Sequence, residues 1–411
     1  MSLDISDRVI LIGGVVAGLL IAWPAFNLDL YVRVHPTTDW LAYYRAVARW
    51  QAGAPLYVDE KVLSLPTSGE GQILYLYPPY VLLFIFPFTI LGPKWGGEVF
   101  ALGGALTFAI AIATLLRQYG WISSWRSFVL AVLFALMFSP VYGEVHLGQI
   151  TTWLVAAVVA AVIGAERAHK GLGSRGIAGA LLMLAVTVKP HFAPMLAYTL
   201  TDRREFVSAC MTGIGLAILS VAVGGISGIR GYVTMLTSGS KIGPARYEGW
   251  FHRFEPFYIL DPFHQVTHLF VLCATIVVVF AAVRWARWRT IAALGLAVIP
   301  IASVESYTDS LLFLLPAIAL LVADSRSVNH RQRVPWLIGA VGLLHMQIPV
   351  MRVLPDLAAG VGTLAGIGTE TSYTLASLGQ PALWGTVIVV GVAGQRVVRE
   401  LAYREERGQG D

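Results

Sequence analysis

The residue of this sequence that most needs a chemical reason is Lys189, in the run Ala-Val-Thr-Val-Lys-Pro-His-Phe-Ala-Pro. An ammonium among apolar side chains is unfavourable in lipid and by default faces a cavity or a partner. Snorkelling explains many such lysines, but Pro190 and His191 directly after it weaken that explanation. Lys189, with His191 beside it, therefore reads as a contact for an anion such as a phosphate. Asp39 is a second candidate. It follows Thr38 at the head of a run in which apolar and aromatic residues alternate with arginines at helical spacing. Taken alone, Asp39 is explained as a helix N-cap. Its functional reading is a carboxylate at a membrane surface, placed as a general base, with Tyr43 one turn further on as a substrate contact.

Other polar residues have two accounts each. Glu144, His146, Gly148 and Gln149 precede a span that begins at Thr151. A solvated turn accounts for them. So does a polar pocket in which Gln149 or His146 donates to a substrate hydroxyl or phosphate, with Glu144 beside them. Tyr77 precedes Pro78-Pro79, which stiffens entry into an apolar helix. It suits an interfacial anchor at least as well as a ligand contact. Glu305 and Asp309 interrupt two apolar stretches. Four positions apart, they share one helical face or form a tight polar turn. His252 stands among mixed charges and aromatics, a pattern that fits sugar or head-group recognition and equally any solvated loop. No spacing is diagnostic of a metal site, and no cofactor is expected.

The elements that must position these residues are membrane helices. The chain is 56% hydrophobic and only 13% charged over 411 residues, with a mean hydropathy of +0.69. A soluble domain carries about a quarter charged residues, so this chain has too little polar surface to cover itself in water. Apolar stretches at 8–27, 96–116, 148–165, 206–227, 266–283, 334–351 and 381–397 are long enough to cross, and shorter ones lie at 126–142, 289–304 and 309–323. The expectation is an all-α polytopic protein, one transmembrane domain over 1–411, with about ten to twelve spans. The stretch 8–27 lacks an Ala-x-Ala-type cleavage site, which predicts an uncleaved anchor. The run from Thr38 predicts an amphipathic helix in the interfacial plane. Cys210 and Cys273 fall inside spans and read as small buried apolar residues.

The net charge of +5 comes from basic residues in short loops, the topogenic bias of membrane proteins, and no nucleic-acid motif is present. Basic groups lie at Arg117 with Arg126, at Arg167, Lys170 and Arg175, at Arg203 with Arg204, at Arg284, Arg287 and Arg289, at Arg326, Arg331 and Arg333, and from Arg396 to Arg407. Placing all of them in the cytoplasm requires two partial elements, 78–91 and 190–201, the second made by the break at Lys189-Pro190. The segments 28–77, 142–149, 229–265, 305–309 and 352–380, with the turn at Lys189, are then left outside. Nearly every unusual polar residue shares that side. A site at the outer membrane face follows.

The order of these features resembles the polyprenyl-phosphate-mannose-dependent mannosyltransferases of glycosyltransferase family 87, in the GT-C superfamily. The resemblance runs from Asp39 to Pro316. It rests on Asp39-Trp-Leu-Ala-Tyr-Tyr with Gly53-Ala-Pro-Leu-Tyr57, then Tyr77-Pro-Pro, Pro87 and Gly92, then Ser139-Pro140, Gly148-Gln149 and Lys189-Pro190. It implies a GT-C fold with the first outer loop over a cavity open to lipid. It also implies that Asp39 deprotonates an acceptor hydroxyl, which attacks the anomeric carbon of a lipid-phosphate sugar with inversion. Lys189 would sit near the leaving phosphate. The implied partners are a polyprenyl-phosphate sugar donor, a lipid or glycan acceptor and membrane lipids. One departure stands out. Ser306-Tyr307-Thr308-Asp309 precedes Leu314-Leu315-Pro316 where the family often has a Ser-Trp-x-His-like motif, so Asp309 takes the place of the histidine. A sugar such as arabinose or glucose therefore stays open beside mannose.

Two other classes compete. A transporter or flippase of lipid-linked glycans also uses broken helices and buried charge, but would place its site near the midplane with access from both sides. A ligase or polymerase of lipid-linked glycans would share the outward site and take a larger donor.

Overall fold

The computed structural model describes residues 8, 12–19, 38–57, 75–238, 264–302, 308–323, 332–351 and 378–408, with the single positions 354, 357, 360 and 366. All regular elements among them are helical. Four helices are long and apolar enough to cross a membrane: Gly92–Gln118, Thr151–His169, Arg203–Leu236 and Pro381–Tyr403. A fifth crossing arises if the pair Trp125–Leu136 and Ser139–Leu147, bent by 60°, counts as one. Four further apolar helices are shorter. The sequence's tally of full spans is not reached among the described residues, which leave out much of the expected span 8–27.

α1 (Thr38–Gln51) is the expected amphipathic helix. It buries Trp40, Tyr43, Ala46 and Val47 along one face and exposes Arg45 and Gln51. α2 (Val81–Thr89) is short, as expected for 78–91, and ends at the turn of Gly92, whose positive φ of 80° a glycine adopts without strain. α3 (Gly92–Gln118) then crosses the protein. Its glycines set how closely neighbours approach. A Cβ on Gly97 would lie 2.6 Å from Trp40 Cδ1, and one on Gly104 would lie 2.4 Å from Thr152 Oγ1. α3 thus seats α1 at one notch and the helix beginning at Thr151 at another.

α4 (Trp125–Leu136) and α5 (Ser139–Leu147) make the bent pair. The Ser139 amide donates to His345 Nδ1 at 3.1 Å, which takes one of α5's free N-terminal donors. The sequence leaves 142–149 as an outer segment; most of it is instead the buried α5, because 139–145 pack on all sides. α5 ends at Gly148, left-handed at φ 67°, and the turn delivers Gln149 to the start of α6 (Thr151–His169).

α7 (Ile177–Val188) stops because Pro190 forces Lys189 into extended backbone, φ −127° and ψ 95°. The next element is a 3-10 helix, Pro190–Thr201. The segment expected as partial is therefore helical but too broken to span alone. α8 (Arg203–Ser238) is kinked at Gly225, whose φ of 65° and ψ of −178° are not helical. α9 (His264–Ala282), α10 (Trp288–Ala297), a 3-10 turn Thr308–Phe313, α11 (Leu314–Ala323), α12 (Val334–His345) and α13 (Pro381–Gly408) complete the described elements. Cys273 is exposed on α9 and Cys210 half-buried on α8, which corrects the expectation that both are buried.

The basic groups gather at one end. Arg289 pairs with Glu166 near the end of α6 and lies over the ring of Tyr119, just past α3. The Arg287 amide donates to Glu400 of α13, which also holds Arg396. Arg175 pairs with Asp202 at 3.4 Å, and Arg333 lies within electrostatic reach of Arg399. Gln149 and Lys189 are at the other ends of α6 and α7, about 28 Å and 18 Å away at roughly 1.5 Å per helical residue.

Candidate active site

The start of α6, the end of α7, the 3-10 turn at Thr308–Phe313 and the start of α1 converge. The Lys189 ammonium pairs with Asp309 Oδ2. It also donates to Thr151 Oγ1 at 2.7 Å and to Gln149 Oε1 at 3.3 Å, so all three of its N–H donors are used. The Thr151 hydroxyl donates to the same Asp309 oxygen at 2.8 Å, and Asp309 Oδ1 accepts from the Ser310 amide at 2.7 Å. A buried ion pair is tolerable when its remaining lone pairs and protons are satisfied in this way.

Gln149 links this pair to Asp39. Its carbonyl oxygen faces the ammonium, which leaves its NH2 to hydrogen-bond the Asp39 carboxylate. The Asp39 carboxyl is raised from the ordinary carboxylate range to about 6. Burial is the largest cause, the Lys189 charge and the Gln149 hydrogen bond oppose it, and Asp309 adds to it. A carboxyl at that value is mostly ionised near neutral pH and takes up a proton more readily than an ordinary aspartate.

Aromatic residues wall the Asp39 side. Tyr43 donates to the Tyr77 hydroxyl at 3.2 Å, with the two rings edge to face at 5.4 Å. Tyr57 fixes the backbone here by donating to the Tyr77 carbonyl at 2.6 Å. Burial, then the neighbouring Tyr77 and Asp39, push the Tyr43 phenol well above its ordinary value. It stays a neutral hydrogen-bond donor.

Glu144 is 1% exposed, and its carboxylate lacks a well-formed hydrogen bond, with only the Thr151 hydroxyl, committed to Asp309, close enough to interact. Asp309, Lys189, Thr151 and Asp39 surround it closely enough to act on its charge. His191 is half-buried, its ring edge to face with Phe192 at 4.5 Å, next to Lys189 in the chain. His146 stacks on Tyr142 with centroids 5.9 Å apart. Thus Asp39, Tyr43, Tyr77, Glu144, Gln149, Lys189 and Asp309 come together. His252 and Glu305 lie outside the described residues. Thr151 was missed by sequence reasoning, although its position two residues after Gln149 puts it at the same helix start. Among the described residues no group of three or more His, Cys, Asp or Glu side chains is arranged to hold a metal ion.

The family model of glycosyltransferase family 87 matches residues 75–302, more than half of the chain. The chain belongs to glycosyltransferase family 87. The matched region holds Tyr77, Glu144, Gln149, Thr151 and Lys189 of the convergence, with His191 beside it, while Asp39, Tyr43 and Asp309 lie outside it. No curated protein and no solved structure matches the chain. For a family 87 glycosyltransferase the arrangement offers a partly exposed carboxylate, a fixed ammonium and phenolic donors in one place. Such groups can accept a proton, face an anion and donate hydrogen bonds.

Proposed function

We propose that this glycosyltransferase moves a sugar, mannose in the first instance, from a polyprenyl-phosphate donor to a hydroxyl of a lipid or glycan acceptor. The reaction takes place at the outer face of the cytoplasmic membrane, with inversion. The observation that carries this reading is the Asp39–Gln149–Lys189 chain, a base and a cation joined through one amide.

In this reading the acceptor O–H gives its proton to the Asp39 carboxylate as its oxygen attacks the anomeric carbon. The bond from that carbon to the phosphate oxygen breaks, and its electron pair leaves with the polyprenyl phosphate. Lys189 lies on the phosphate side with His191. Its longest contact, 3.3 Å to Gln149, is the one a phosphate oxygen would replace. The pocket carries three carboxyl groups, Asp39, Glu144 and Asp309, around one ammonium. The phosphate is therefore held by an oriented donor such as the Tyr77 hydroxyl, which accepts from Tyr43 and keeps its own O–H to give, as much as by positive charge. The placement outside the membrane rests on the gathering of basic groups at the opposite ends of α6 and α7.

The test is transfer of radiolabelled mannose from polyprenyl-phosphate mannose by the purified, reconstituted protein to a panel of lipid acceptors, with glucose and arabinose donors in parallel. Product formation lost in Asp39→Asn, with the protein still folded, is the expected result. Full activity in that variant overturns the role of Asp39. Absence of product from every donor overturns the reading itself.

A further inference from the structure

About 20 Å from Lys189, thirteen residues back along α7 at roughly 1.5 Å each, a separate groove of about 660 Å³ opens between the first turns of α7 and α8. Its polar wall carries Arg175, Arg203 and Arg204. Beside the groove, α7 and α8 are pinned together within these same first turns. Gly179 lies so close to the backbone of Glu205 that a Cβ would come within 2.0 Å of its carbonyl oxygen. The Glu205 carboxylate is drawn inward as well, accepting from the Gly179 amide at 2.7 Å, and is 2% exposed.

The acids nearby are thus committed elsewhere. Asp202 takes Arg175 at 3.4 Å and the Arg204 amide at 2.8 Å. The guanidinium groups of Arg203 and Arg204 form no ion pair among the described residues, and both side chains are exposed. At the α7 start, the Ala180 amide has the Gly176 carbonyl and the Gly179 amide has Glu205. The amides of Ile177 and Ala178 remain at the positive end of the helix.

The other wall is apolar and open. Ile177 is 50% exposed and Val207 49% exposed, and α8 continues as the least buried of the four long apolar helices. Free positive charge at the mouth, with bare apolar surface leading from it along a membrane helix, fits one ligand chemistry. We infer that this groove binds an anionic glycerophospholipid, its phosphate against Arg203, Arg204 and the α7 start, and its acyl chains along Ile177, Ala180 and Val207. A free phosphate or nucleotide would use the arginines but leave the apolar wall unused. Basic pockets between membrane helices on the cytoplasmic side take anionic head groups by the same combination.

The test uses the full chain in detergent and native mass spectrometry with phosphatidylglycerol or phosphatidylcholine. Wild type is expected to retain phosphatidylglycerol in preference to phosphatidylcholine. Arg203→Gln with Arg204→Gln should reduce its retention roughly 10- to 30-fold, from about 1 kcal/mol per basic residue near an anionic surface, while Arg203→Lys with Arg204→Lys keeps most of it. Equal retention of the two lipids by wild type overturns the inference without any variant having to fold. Unchanged retention in the folded double Gln variant overturns it as well. Displacement of phosphatidylglycerol by millimolar inorganic phosphate would assign the groove to a soluble anion instead.

Discussion

Lys189 and Asp309, 120 positions apart in the chain, form an ion pair whose side chains are 11% and 5% exposed. The pair joins the broken end of α7 to the 3-10 turn before α11, just past the region that the family model matches. Its partners Thr151 and Gln149 bring in the start of α6. One cation thus fixes three elements around the space beside Asp39.

Breaking this pair from one side leaves a buried charge uncompensated. Asp309→Asn and Lys189→Met are each expected to destabilise the protein by about 3–5 kcal/mol, read as a lower unfolding temperature in detergent. The double variant Lys189→Met with Asp309→Asn should lose less than the sum of the two, because neither partner of the pair is left charged without the other. Additive losses would mean that the pair is not coupled. If Lys189 also serves the leaving phosphate, the double variant recovers stability and stays inactive.

The raised Asp39 carboxyl sets a pH dependence. As a base it works only when ionised, so kcat/KM should rise with pH through about 6 and level off above. The Gln149 hydrogen bond favours the ionised form. Its removal in Gln149→Leu should therefore move the inflection upward, with a lower rate at pH 6 than at pH 8 relative to wild type. An inflection near 4, or one that Gln149→Leu leaves in place, would contradict the environment assigned to Asp39.

Glu144 has no well-formed hydrogen bond to its carboxylate and is shut away from solvent. Glu144→Gln keeps the shape and removes the charge. The unfolding temperature is expected to hold or rise, since relieving an unpaired buried carboxylate offsets a penalty. If its oxygens accept from sugar hydroxyls, KM for the donor should rise several-fold with a smaller change in kcat. A lower unfolding temperature with unchanged KM would make Glu144 a structural residue.

Much of this arrangement is legible in the sequence, for reasons that differ by residue. Lys189 is legible because a charge among apolar residues needs a partner and the proline after it marks a break. The break is there, but the partner is Asp309 of the chain itself, which local sequence cannot indicate across so large a separation. α1 is legible because its arginines and aromatics keep a helical period on a surface. α5 is only half legible: in the sequence Glu144 and His146 fit a solvated turn as well as a polar pocket, and only the helix that buries 139–145 takes Glu144 out of water. Thr151 hides because a threonine at a helix start has an ordinary explanation. Gly97 and Gly104 hide in a helix that has many glycines; their purpose appears only when Trp40 and Thr152 are set against them.

The notch at Gly97 gives the clearest test of how Asp39 is positioned. Trp40 is fully buried, adjacent to Asp39, and its indole donates to the Pro93 carbonyl at 2.5 Å. Gly96 and Gly97 face the ring, and Phe100 packs against it at 5.5 Å. In Gly97→Ala the new methyl would come 2.6 Å from Trp40 Cδ1, and a ring held on several sides cannot tilt away without moving α1. The carboxylate of Asp39 would shift with the helix. A displacement near 1 Å can cost about 10²-fold in rate, so kcat should fall by roughly that factor while the pH inflection stays near 6. Replacing the indole by a smaller ring, in Gly97→Ala with Trp40→Phe, should recover part of the loss. Full activity in Gly97→Ala, or no recovery in the pair, would mean that the Trp40 notch does not set the position of the base.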